Sequence, residues 1–177
     1  MLKSFGFAPV ATALVGLGVV VFASHVRAGG DKVAFPEGFD KGVLYTTVDR
    51  ADNKQYREIY TSQAAVDAAK KGEPMPDGTV VTLVQYRAKL GADGNPEKDA
   101  SGRFIKGDLV AYTVMEKRKG WGAEYPENIR NGEWEYQAFT TAKQPNPNAK
   151  LTACFECHKP LPQASDFLFT YGKLAGK

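Results

Sequence analysis

Sulfur and imidazole are scarce in this chain of 177 residues, which holds two cysteines, two histidines and three methionines. Two cysteines close at most one bridge, so a disulfide-stapled scaffold is excluded. Structural zinc wants four ligands, and once the N-terminal segment with His25 is set aside no spare Cys or His is left to complete a set. Charge of one sign is not in excess either, with Lys and Arg at 23 against Asp and Glu at 20. That balance gives no footing for a nucleic-acid partner or a strongly charged redox partner. Internal repeats are absent, and past Ala23 no further long apolar run occurs.

The apolar run, Phe5 to Ala23, follows the basic residue Lys3, and Val26-Arg27-Ala28 ends it on a small residue. This is the pattern of a secretory signal over residues 1–28, cleaved after Ala28. The run is close to the ~20 residues that cross a bilayer, so an uncleaved N-terminal anchor is the alternative. Both place the folded part outside the cytoplasm, in the periplasm. Residues 29–177 suit one domain with one core. Removing Lys3 and Arg27 takes the 23 basic residues to 21 against 20 acidic ones, nearly neutral.

What the chain does have is Cys154-Phe155-Glu156-Cys157-His158, which holds both of its cysteines and, beyond the leader, its only histidine. Cys-x-x-Cys-His is the attachment motif for c-type haem. The two thiols become thioethers to the vinyl groups, and the adjacent imidazole ligates the iron. The motif therefore predicts one covalent haem c, with Cys154 and Cys157 as its attachment points and His158 as its metal ligand. A plain disulfide or a thioredoxin-like redox pair is the alternative. No methionine follows His158, and after the leader only Met75 and Met115 remain. An ordinary helical electron-transfer cytochrome, with its motif near the N-terminus and a Met ligand downstream, does not fit.

The rest of the chain reads mainly as strand. Val43 to Val48, Tyr56 to Thr61, Thr79 to Arg87, Leu109 to Glu116 and Trp134 to Thr140 are β-branched, aromatic or alternating. The third is apolar on both faces and belongs at the centre of a sheet. Ser62 reads as the N-cap of a short alanine-rich helix, Gln63 to Lys71, stopped by Gly72. Gly91 to Gly107 reads as a long exposed loop, Gly120 to Asn131 as irregular, and Gln163 to Leu174 as a closing helix. The expected fold is mainly β, an antiparallel sheet or sandwich with short helices, for which α+β is an alternative label. Such a β-rich chain is not the four-helix bundle of a cytochrome c′.

The ordered set Arg57-Glu58-Ile59-Tyr60, Pro76-Asp77-Gly78-Thr79-Val80, Met115-Glu116-Lys117, Glu133-Trp134-Glu135-Tyr136, the haem motif and Asp166-Phe167-Leu168-Phe169 resembles the cytochrome P460 / cytochrome c′-β family. The resemblance covers nearly all of the chain after the leader. It implies a curved sheet or β-sandwich with short helices, a homodimer, and a five-coordinate haem with His158 as proximal ligand. One branch of the family oxidises hydroxylamine, using a Lys joined to the macrocycle and a distal Glu. The other lacks the crosslink and binds nitric oxide or carbon monoxide.

Carried over by position, the family's distal Arg corresponds to Arg57, the crosslinking Lys to Leu83 and the catalytic Glu to Thr113. The chain keeps the Arg and lacks the other two. Hydroxylamine dehydrogenation needs a base, whereas an apolar distal wall over five-coordinate iron favours neutral diatomics. The leading expectation is a periplasmic haem protein whose partner is a diatomic gas or a small nitrogen-oxide ligand. The alternatives are a cytochrome P460-type enzyme with hydroxylamine-oxidising or peroxidase activity, using Arg57, and an electron-transfer cytochrome with a periplasmic redox partner. The last needs Met75, Met115 or a Lys as sixth ligand.

Overall fold

A computed structural model describes residues 32–177; the proposed leader or anchor at 1–28 lies outside them. Five strands form one antiparallel sheet in chain order: β1 Val43–Arg50, β2 Gln55–Thr61, β3 Val80–Ala88, β4 Lys106–Lys117 and β5 Trp134–Phe139. β3 is central, as its two-sided apolar pattern predicts. The mainly β expectation holds in its single-sheet form. Both faces of the sheet are covered by helices and irregular chain.

The cover differs between the faces because alternation sends odd and even positions to opposite sides. On one face Val84, Val114 and Phe139 pack with Val33 and the rings of Phe35 and Phe39. On the other, Ile59, Val81 and Met115 pack under α1 (Gln63–Lys70), α2 (Thr152–His158) and α3 (Tyr171–Leu174). Ser62 caps α1 as predicted, its hydroxyl accepting from the Ala65 amide at 3.2 Å. Gly72, at φ 73°, ends the helix in the left-handed region where glycine has no Cβ penalty.

Two segments differ from the sequence reading. Gln163 to Leu174 is not a continuous helix: a 3-10 turn over Gln163–Ser165 and the short α3 are separated by residues 166–170, which begin with Asp166 and Phe167 at φ 48° and 58°. Distant partners of Asp166, described below, hold this break. Gly91 to Gly107 is a loop but is pinned down, with Phe104 buried and Arg103 Nε donating to Asp49 Oδ2 at 2.8 Å. β4 starts inside it, at Lys106.

Candidate functional site

The haem motif lies on α2, a helix of seven residues. Cys154, Cys157 and His158 are spaced i, i+3 and i+4, so they share one helical face. So short a helix is not stable by itself; it is fastened to the sheet. Phe155 is 1% exposed, with its ring 4.7 Å from Tyr136 on β5 and 4.9 Å from Tyr125. Asn131 Nδ2 donates to both the Phe155 carbonyl and the Tyr136 hydroxyl, each at 3.0 Å. Lys159 Nζ donates to the Arg130 carbonyl at 2.9 Å just past the helix end.

Both thiols are free. Burial pushes the Cys154 thiol up from its ordinary value, and the neighbouring Cys157 adds to the rise. A redox cysteine needs the opposite shift, toward thiolate. His158 Nδ1–H donates to the Phe167 carbonyl at 2.7 Å, since a carbonyl can only accept. That fixes the tautomer and leaves Nε2 with a free lone pair, the form a metal ligand takes. Burial holds the imidazole below its usual pKa, with the hydrogen bond to Phe167 opposing. The ring is also boxed in by Tyr136 at 5.1 Å and Phe169 at 4.9 Å.

Between α2 and the sheet face it covers lies a cavity of about 620 Å³, within the ~300–1,000 Å³ that holds cofactor-sized molecules. Its wall contains all six residues singled out from the sequence: Arg57, Leu83, Thr113, Cys154, Cys157 and His158. The strand register explains why three distant stretches meet. Ile59 pairs with Leu83, Leu83 with Thr113, and Arg57 with Gln85. Gln85 Nε2 donates to Thr113 Oγ1 at 2.8 Å, so the polar atoms of that edge satisfy each other.

Arg57 donates from Nε and Nη2 to Gln55 Oε1 at 3.0 and 2.8 Å, and forms no ion pair among the described residues. Burial, then the charge of nearby Arg50, hold its pKa below the ordinary value. No Asp, Glu or Lys lines the cavity among the described residues.

The sequence reading had not placed Arg50, Tyr136 or Phe169 on this wall. Ile59, Val81 and Met115 were within its reach, because each lies two residues from a position already chosen. Tyr136 carries no such signal.

These residues fit a haem. Two thiols and an imidazole lie on one helical face. The opposite wall is largely apolar, and Phe169 is 60% exposed beside the imidazole, an apolar ring that a flat hydrophobic group would cover. Among curated proteins no match to the chain is found. A family model does match, that of cytochrome P460, over residues 36–170. Covering most of the chain and the whole of the cavity wall, this match shows that the protein belongs to the cytochrome P460 family of haem cytochromes.

Proposed function

We propose that the chain is a periplasmic mono-haem c-type cytochrome that binds nitric oxide or carbon monoxide at a five-coordinate iron. The observation that carries this reading is the makeup of the cavity wall: mostly apolar side chains with two guanidinium groups, those of Arg50 and Arg57, and, among the described residues, neither carboxylate nor lysine.

Each residue has a part. Cys154 and Cys157 would hold the haem as thioethers, each S–H adding across a vinyl double bond, sulfur to one carbon and hydrogen to the other, with nothing lost. His158 would present Nε2 to the iron while Nδ1–H stays on the Phe167 carbonyl. When bound, haem iron supplies the coordination position at which a neutral diatomic sits. Ile59, Val81, Leu83 and Met115 keep water from that side, and Arg57 offers N–H donors at its edge. With no carboxylate or lysine in the wall among the described residues, dehydrogenation of hydroxylamine lacks the proton acceptor it needs on that side. Export by the leader and a homodimeric state, drawn from the resemblance, belong to the same proposal.

Met115 supports a second reading. It lines the cavity, whereas Met75 is buried elsewhere in the core. A thioether on the iron would make a six-coordinate electron carrier.

Absorption spectra of the holoprotein, ferric and then reduced, beside the denatured pyridine haemochrome, test the proposal. A normal c-type haemochrome with a high-spin reduced band that shifts under carbon monoxide is the expected result. A low-spin ferric spectrum without added ligand would overturn it in favour of a six-coordinate carrier, the reading that Met115 supports. A red-shifted band with an abnormal haemochrome would mean a modified macrocycle and return hydroxylamine oxidation to first place.

A further inference from the structure

Asp166 is 7% exposed, and its carboxylate sits among three donors. Oδ2 accepts from the Met75 amide at 2.8 Å and from Lys117 Nζ at 2.7 Å, and Oδ1 from Trp134 Nε1 at 3.3 Å. Lys117 and Trp134 are cross-strand partners on β4 and β5. The sheet itself therefore receives the carboxylate. A buried ion pair gives up hydration and is weak evidence for stability alone, so its position asks for another explanation.

The explanation lies in the next residue. Asp166 and Phe167 are both in the left-handed region, at φ 48° and 58°. Neither is glycine, and such backbone persists only where the surroundings over-determine it. The double left-handed turn directs the Phe167 carbonyl onto His158 Nδ1 at 2.7 Å. We propose that Asp166, clamped by Lys117 and Trp134, is a positioning residue for His158: it ties the carbonyl that orients the imidazole to the sheet, not to the C-terminal segment alone. The path runs from β4 and β5 through one carboxylate and one peptide unit to the imidazole. The inference rests on the proposed ligation of iron by His158. Partners of this kind set the ligand's orientation and basicity.

The test uses the holoprotein with Asp166→Asn and Lys117→Met, the second keeping the aliphatic stem in case the first folds poorly. Two quantities are read: the iron–histidine stretching band of the reduced protein by resonance Raman, and solvent exchange of the His158 Nδ1 proton in the reduced, carbon monoxide-bound form. Both variants are expected to shift and broaden the band and to speed proton exchange about tenfold. Val114→Ala, a core truncation on the opposite face of the sheet, should lower the melting temperature and move neither readout. If Asp166→Asn and Lys117→Met leave both readouts in place, or if Val114→Ala moves them equally, the positioning role is overturned. His158→Ala separates the two claims. A band that survives it, or is missing from the parent protein, ends the ligation reading, and proton exchange then decides the positioning role alone.

Discussion

Leu83 and Thr113 face each other as direct partners across β3 and β4, on the cavity wall opposite the haem-motif helix. These are the two positions at which the resemblance implies a lysine and a glutamate. An amine and a carboxylate placed there would be neighbours over the cofactor. Leu83→Lys, with or without Thr113→Glu, is therefore expected to alter the ferric absorption spectrum. Leu44→Lys, at a site 45% exposed on β1, should leave it unchanged. Identical spectra for all variants would mean that this wall does not face the iron.

His158→Ala should keep both thioethers and lose the proximal bond. The denatured haemochrome would stay that of a c-type haem, while the native spectrum changes spin state and carbon monoxide affinity falls by about tenfold or more. Retention of the parent affinity would show that another group ligates the iron.

The fastening of α2 can be loosened without touching the motif. Asn131→Ala takes the donor from the buried Tyr136 hydroxyl and the second donor from the Phe155 carbonyl, which keeps the Lys159 amide at 2.8 Å, and at about 1–3 kcal/mol for one unsatisfied group the cost should be about 2 kcal/mol. Gly122→Ala acts on the loop that carries Asn131, since a Cβ there would lie 1.9 Å from the Gly132 carbonyl oxygen. Its cost should be about 3 kcal/mol. Guanidinium unfolding curves check both; losses well under 1 kcal/mol would mean that the loop and helix are held in some other way.

Stability should also fall in alkali. Burial pushes the Tyr45 phenol from 10.0 up to about 12, against the opposing effect of its hydrogen bond with Thr170. Between those values the unfolded chain has lost this proton and the folded chain still holds it. Fewer protons on the unfolded state make stability fall with rising pH. The contribution is whole below pH 10.0 and gone above about 12. Tyr45→Phe should flatten that decline. Equal slopes in the two proteins, from unfolding midpoints on either side of the window, would contradict the assignment.

Much of this arrangement is legible in the residues themselves. β-branched alternation marks all five strands, and Ser62 and Gly72 bracket α1. Cys154, Cys157 and His158 are named by their spacing alone. Leu83 and Thr113 need the resemblance as well as alternation. What escapes is long-range. The break at Asp166 is held by Met75, Lys117 and Trp134, none of them near in sequence. The helix on the haem motif carries Thr, Cys, Phe and His, poor helix formers, and depends on burial of Phe155 against Tyr136. Arg103 looks like part of a polar loop until Asp49 appears beside it. No local pattern encodes these pairings.

Every strand of the sheet pairs only with its neighbours in the chain, which keeps loop-closure costs low and favours rapid folding. The wall that meets the ligand can then form hairpin by hairpin, before anything beyond Phe139 has docked. Pulse-labelled hydrogen exchange during refolding is expected to protect β3 and β4 ahead of α2; the reverse order would refute this sequence of events. Attachment of the cofactor calls for an accessible Cys-x-x-Cys-His segment, and a late-docking C-terminal segment stays accessible longest. The order of assembly thus leaves the attachment chemistry its opening, and the last segment to arrive closes over a surface that is already built.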